Sequence, residues 1–299
     1  MTVDILLATY NGAKYVEAQI HSIISQSHKD WRLVIHDDGS KDNTVTIIKK
    51  FSAVDSRIML VDDGVSFGNA GQNFMYLLQF SSADYIMFCD QDDIWFDNKL
   101  DVLYQEIKNK EFPCAVYCNA DAYDGSKVVS KNITLFHRST LENSLFLNSG
   151  VQGCSLMFNR KLLNCLKEFP NYVYMHDHLI TIASVTFGKL FHIDDSLMLY
   201  RQHDSNVTGN INNSLLSRMK QFLFTRNSVI DKKHYEANLS FFEKYSPVIS
   251  RKNKEIFNAY FAYPKKNRLE RLGIILKYQF VIGNHYSILF VKTLLRKPI

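Results

Sequence analysis

Four short apolar runs alternate with stretches of helical periodicity between Val3 and Cys89, and that alternation leaves few architectures open. The runs are Val3 to Ala8, Trp31 to Ile35, Arg57 to Val61 and Tyr85 to Cys89. Between them Tyr15, Val16, Ile20, Ile23 and Ile24, then Val45, Ile47, Ile48 and Phe51, then Phe74, Leu77 and Leu78 recur at the spacing of one helix face. Asp42 and Asn69 stand where helix caps belong. Strands alternating with helices build βαβ units, so a mainly parallel α/β sheet flanked by helices is expected.

Three of these runs end in polar residues: Thr9-Tyr10-Asn11-Gly12, His36-Asp37-Asp38-Gly39-Ser40 and Asp90-Gln91-Asp92-Asp93. The carboxyl ends of strands are where open α/β sheets bind ligands. Thr9 can bond a base or ribose, Tyr10 can stack on a base, and Asp38 can accept from a base or a ribose hydroxyl. Three carboxylates within four positions repel one another unless a cation or donors share the site. The same run also reads as a loop capping the next helix, whose apolar stripe is Leu100, Leu103, Tyr104 and Ile107, with Lys and Glu on the other face. No Gly-x-Gly-x-x-Gly follows the first strand and no P-loop occurs, which points away from dinucleotide dehydrogenases and P-loop hydrolases.

The runs Thr9-Tyr10-Asn11-Gly12, Asp37-Asp38-Gly39-Ser40-Lys41-Asp42-Asn43-Thr44 and Asp90-Gln91-Asp92-Asp93-Ile94-Trp95 resemble, in order and spacing, family 2 glycosyltransferases of the GT-A fold. The resemblance spans roughly residues 1–210, implying a catalytic domain there and a basic, aromatic-rich helical region over 211–299. It implies that Thr9, Tyr10 and Asp38 hold the nucleotide of a sugar donor. It also implies that Asp92 binds a divalent cation, that Asp90 faces the ribose or a metal-bound water, and that Asp93 supports them. Mg²⁺ or Mn²⁺ would act there as a Lewis acid on the departing diphosphate. Oxygen ligands without cysteine favour those ions over zinc.

Further along, Gly150 to Arg160 resembles the family's glycine-rich turn beneath the acceptor site. Gly153 would allow close backbone approach to a sugar, with Cys154 and His178 beside the acceptor. As a nucleophile Cys154 lacks a basic partner nearby in sequence. In Met175-His176-Asp177-His178 the residues alone read as a helix cap with two imidazoles, and a zinc site would want a third ligand nearby. The resemblance makes Asp177 the general base, the one carboxylate an inverting transfer needs to take the acceptor proton. Asp194 and Asp195, after a strand expected at Leu190 to Ile193, read as a turn. Arg201 can pair with a phosphate bidentately. His203 can bond the diphosphate, complete the metal shell or serve as a buried structural imidazole.

Asp-Gln-Asp-Asp-Ile-Trp, Met-His-Asp and Tyr-Arg-Gln-His-x-x-Asn together resemble the bacterial rhamnosyltransferase branch. That implies L-rhamnose transfer from dTDP-L-rhamnose to a growing, lipid-linked cell-surface polysaccharide. The chain departs from the branch at His178, where an aromatic residue commonly follows the base. Alternatives are the same mechanism with a UDP-hexose donor, or a non-catalytic nucleotide-sugar-binding subunit of a polysaccharide assembly complex. Asp177 argues against the last.

The net charge of +5 hides an asymmetry: residues 1–213 carry 18 basic against 25 acidic residues, and residues 214–299 carry 17 against 5. The change of sign near Ser214 suggests a boundary and a tail that seeks an anionic surface. In that tail Leu215, Leu216, Met219, Phe222 and Leu223, and later Leu272, Ile275 and Leu276, recur at helical spacing. Phe222, Phe224, Tyr235, Phe241, Phe242, Tyr245, Phe257, Tyr260, Phe261 and Tyr263 make it dense in aromatics. Such helices either lie in an anionic membrane interface or pack onto the catalytic domain. No nucleic-acid module is recognisable, and no nucleic-acid partner is expected. Five cysteines without paired spacing, no secretory leader and no membrane-length apolar run suit a cytoplasmic enzyme, peripheral on the inner face of the plasma membrane.

Overall fold

A computed structural model describes residues 2–148, 151–203, 228–283 and 285–299. Its strands are β1 Val3–Thr9, β2 Trp31–Asp37, β3 Ile58–Val61, β4 Tyr85–Cys89, β5 Ile94–Trp95, β6 Cys114–Tyr123, β7 Val128–Ser130, β8 Leu156–Asn159 and β9 Lys189–Arg201. The described helices are α1 Val16–Ile24, α2 Thr44–Val54, α3 Ala70–Leu77, α4 Lys99–Ile107, α5 Leu141–Ser144, α6 Arg160–Asn164 and α7 His176–Phe187, then α8 Lys232–Tyr245, α9 Arg251–Ala262, α10 Arg268–Lys277 and α11 Tyr286–Leu295. They pack as two units. One takes residues 2–134, 152–164 and 191–203; the other takes 135–148, 151, 165–190 and the described residues from 228 onward.

The first unit is organised on the sheet, in the order β3-β2-β1-β4-β8-β6-β9-β5, with β7 on β6. β3, β2, β1 and β4 run parallel, and Leu7 lies opposite both Ile35 and Cys89. This register brings the ends of β1, β2 and β4 to one edge. β8 then runs antiparallel to β4, and β6 antiparallel to β8. Val3, Ile5, Leu7, Leu33 and Ile35 join Val16, Ile20 and Ile23 of α1 in a buried core. Each such side chain contributes about 1.5–3 kcal/mol. Asn69 caps α3 as expected, accepting from Gln72 N–H, whereas α2 is capped one residue later than expected, at Asn43, and Asp42 accepts from Thr44 N–H.

Asp4 is the one charge inside β1. Arg32 Nε and Nη2 each donate to it at 2.9 Å, and Ser81 Oγ, Ser82 N–H and Ala83 N–H donate at 2.8–2.9 Å. Burial pushes its carboxyl up, but these donors together hold it below the usual carboxylate range.

One local expectation is corrected. β9 runs unbroken through Asp194 and Asp195, both exposed, so no turn forms there. Pairing within the sheet overrides the weak strand propensity of the two aspartates. Residues 124–148 contain β7, which pairs with the end of β6, and α5, opened by a Thr140–Asn143 capping box.

In the second unit α7 is buried almost all round, as a core helix must be. Phe187 packs on Phe241 and Tyr245, and Phe146 meets Tyr260, Tyr263 and Phe280 edge-on. Of the tail aromatics, Tyr235, Phe241, Phe242, Tyr245, Phe257, Tyr260, Phe261 and Tyr263 are described, and none is exposed. These rings, buried or half-buried, pack against one another within this unit. Phe222, Phe224, Leu215, Leu216, Met219, Leu223, the sign change at Ser214, Gly150 and the boundary after residue 210 lie outside the described residues. Among the described residues no helix is long and apolar enough to cross a membrane.

Candidate active site

The turn after β1 and the segment after β2 are tied together. Asn11 N–H donates to Ser40 Oγ, Lys41 N–H to Asn11 Oδ1, and Gly12 N–H to Thr44 Oγ1, at 2.7–2.8 Å. Gln91, from the acidic loop after β4, accepts from Tyr10 N–H at 2.9 Å and donates to Tyr10 O at 3.0 Å. A Cβ on Gly12 would lie 2.1 Å from Gln91 Oε1, so glycine is required for this link.

These bonds redistribute the expected nucleotide contacts. Thr9 is buried and its hydroxyl donates to Asp37 at 2.8 Å. Asp38 is buried and accepts from Phe67 N–H and from Asn69 N–H at 3.0 Å, with Ser66 Oγ 3.1 Å away. Both therefore brace the strand ends, and most of the acceptor capacity of Asp38 is used within the protein. Tyr10, 52% exposed, is the member of the trio open to a ligand.

The acidic run meets the exit of β9. β5 pairs Ile94 with Leu199 and Trp95 with Met198, which fixes the register of the two segments. In consequence Asp92 Oδ2 lies 2.7 Å from His203 Nε2, and Arg201 Nε donates to Asp92 O at 2.7 Å. His203 stacks on Tyr15 at 5.1 Å, and the Arg201 guanidinium lies 4.9 Å from the Tyr15 ring and 5.1 Å from the Tyr123 ring. Tyr15 was read only as part of a helix stripe; its aromatic character beside Gly12 and Lys14 is the sole hint the sequence offers.

Asp93 is fully buried and accepts from Arg201 N–H at 3.1 Å. Burial first, then the Asp92 and Asp90 charges, push its carboxyl well above the carboxylate range. Asp90, Asp93 and Cys154 bring their donor atoms within 4.8 Å of one another, a candidate acidic metal site. A thiol thus adjoins the cluster, contrary to the cysteine-free set expected. Burial, with the Asp93 and Asp90 charges, pushes that thiol well above its ordinary value, so it remains protonated and is a poor ligand.

Gly153 and Cys154 sit in a buried helical turn, Gly153–Ser155. The Cys154 side chain belongs to the sheet core. Cys154 O accepts from Lys99 Nζ at 2.6 Å. Lys99 is fully buried, its ammonium 3.8 Å from the Trp95 ring centroid.

Asp177 lies in the first turn of α7, in the second unit. Burial raises its carboxyl to about 6, against the lowering by His178 N–H at 2.6 Å and by the Arg138 charge. His178, expected on the acceptor side, is buried with Nε2 3.0 Å from Asn238 Oδ1 and its ring edge-on to His234. It fastens α7 to α8. Burial holds the His176 imidazole down to about 3. Among the described residues neither histidine joins a metal-spaced group.

Comparison with known proteins accounts for the arrangement. The family described as glycosyl transferase family 2 matches residues 4–167. A dTDP-rhamnosyl transferase, RfbG of Shigella flexneri, is 32% identical over 74% of this chain and 79% of its own length. The Escherichia coli UDP-Glc:alpha-D-GlcNAc-diphosphoundecaprenol beta-1,3-glucosyltransferase WfgD is 29% identical over 70% of this chain and 80% of its own. Among solved structures, S. aureus TarS 1-349 with UDP-GlcNAc superposes with a TM-score of 0.61 at 16% identity, covering 93% of this chain and 80% of that one. The mannosyltransferase PcManGT from Pyrobaculum calidifontis, in complex with GDP-Man and Mn2+, gives 0.56 at 15%, covering 92% and 75%. The fold is GT-A. The chain is a member of glycosyl transferase family 2.

Proposed function

We propose that the protein is an inverting glycosyltransferase that moves L-rhamnose from dTDP-L-rhamnose to a lipid-linked glycan. The observation that carries this reading is the meeting of Asp92 with His203 beside Arg201, at the edge where β1, β2 and β4 end. Their 2.7 Å separation is near the roughly 3 Å between adjacent ligands of an octahedral ion with 2.0–2.1 Å bonds. Asp92 and His203 therefore suit Mg²⁺ or Mn²⁺, with Asp90 two positions away in the same run, and the ion when bound would stabilise the leaving diphosphate as a Lewis acid.

The chain's own groups have separate duties in this reading. Tyr10 offers an exposed ring to the base, and Thr9 and Asp38 hold the surrounding loops in place. Arg201, its guanidinium placed by Tyr15 and Tyr123, attends the diphosphate. Asp177 takes the proton from the acceptor hydroxyl. With its carboxyl raised to about 6 it is mainly ionised at neutral pH, yet a stronger base than an ordinary aspartate. Single displacement from a β-linked donor yields an α-rhamnoside. The name of the Shigella relative supports rhamnose, and the diphosphoundecaprenol in the Escherichia relative's name supports a lipid-linked acceptor.

The latter relative also supports a second reading, a UDP-hexose donor. Thermal-shift titration with dTDP-rhamnose and UDP-hexoses in Mn²⁺ separates the two. Stabilisation by UDP-hexoses alone would overturn the rhamnose assignment.

A further inference from the structure

We infer that the solvent face of α10 and α11 is a docking surface for an anionic lipid bilayer, a surface that deepens, and rests on, the reading of a lipid-linked acceptor. Leu269 and Leu276 lie seven residues apart on one face of α10 and are 80% and 56% exposed. Val291, Leu294 and Leu295, at helical spacing on α11, are 38%, 48% and 64% exposed. The two helices pack against each other, with Ile275 and Leu289 buried. Scattered exposed leucines are ordinary, but apolar residues repeated at helical spacing on two adjoining helices leave a face that wants a partner.

Charge selects that partner. Residues 265–299 carry eight Lys and Arg against one acid, Glu270, whose carboxylate is already engaged by Lys266 and Asn267 N–H. Arg271 is bound to Tyr263 O and Pro264 O, but Lys265, Arg268, Lys277 and Lys297 are exposed, and a second copy of the chain would set these cations against their own kind. An anionic headgroup layer would neutralise them while the leucines enter the acyl boundary, as amphipathic interfacial helices do. At ten residues each, the helices lie on a membrane and do not span it.

The test is co-sedimentation of the full chain with phosphatidylcholine vesicles, with and without phosphatidylglycerol, in the absence of any donor. Partition should be at least about tenfold higher on the anionic vesicles at low salt and fall away at high salt, where charges are screened. Leu269→Ser/Leu295→Ser should lower it about tenfold, and Arg268→Glu/Lys297→Glu should abolish the preference for anionic lipid. All these positions are at the surface, so unchanged circular dichroism and melting would confirm intact folding. Failure of the wild type to bind at low salt overturns the inference, as does equal binding by wild type and both variants. Leucine substitutions that dissolve a dimer in light scattering, with vesicle binding unchanged, would assign the face to a second copy and also overturn it. Vesicle binding without any sugar transfer would sink the proposed function alone.

Discussion

The carboxylate of Asp92 and the imidazole of His203 meet at 2.7 Å although 111 residues separate them in the chain. If they share a cation, the two side chains should fail in the same experiment. Asp92→Ala should lower kcat/KM by about 10²–10³-fold, and His203→Ala by about 10–100-fold. Activity titrated against Mn²⁺ is the measurement. An unchanged metal midpoint in both variants would exclude a shared ion.

Asp177 links the proposed chemistry to pH. Its carboxyl is raised to about 6, so kcat/KM should fall tenfold per pH unit below that value. Asp177→Asn should remove this acid limb and cost about 10²–10⁴-fold in rate while leaving donor binding intact. A limb that survives the substitution would assign the titration to another group.

The same shift acts on stability with the opposite sign. Between about pH 4 and 6 the folded state keeps a proton that the unfolded chain has released, so stability falls as pH rises through this window. At pH 8 Asp177→Asn should therefore be more stable than the wild type, by up to about 3 kcal/mol. Urea unfolding at pH 4 and pH 8 checks this, and an Asn variant no more stable at pH 8 would contradict it.

Asp4 behaves in the reverse manner. Its carboxyl is held below the usual range, so its contribution is present above about pH 4 and is lost as pH falls through the lowered value. Asp4→Ala leaves Arg32 and three strand-edge donors without their acceptor and should cost about 3–5 kcal/mol. A loss below 1 kcal/mol in urea would mean that water replaces the carboxylate cheaply.

Lys99→Met preserves the aliphatic stem but leaves Cys154 O without its 2.6 Å donor. About 1–3 kcal/mol of stability should go with it. Because Cys154 also faces Asp93, the buried acidic cluster should loosen as well. Hydrogen exchange at residues 153–155 is the readout, and unaltered protection there would confine Lys99 to packing against Trp95.

What could be read in advance was local. β1 to β4 and the helices between them announce themselves because a two-residue and a 3.6-residue period differ within a few positions. The meeting of Arg201 and His203 with Asp92 depends on β9 pairing with β5, and no nearby residue encodes that register. Only the likeness to a family anticipated it. Lys99 was hidden because its hydrogen-bond acceptor arrives from a turn 55 residues later. The tail aromatics left two readings open for a different reason: a membrane face and a protein interior ask for the same composition, and packing alone tells them apart.

The two-residue strand Ile94–Trp95 carries a consequence for how the molecule comes into being. Its partners, Met198 and Leu199, leave the ribosome about a hundred residues later, and long-range closure of this kind is slow. A nascent chain can align β1, β2 and β4 while Asp90, Asp92 and Asp93 still face one another without Arg201 or His203 beside them. Assembly of the site is thus a late event, and an early, half-made sheet has a liability at its acidic edge that arrival of the β9 exit removes.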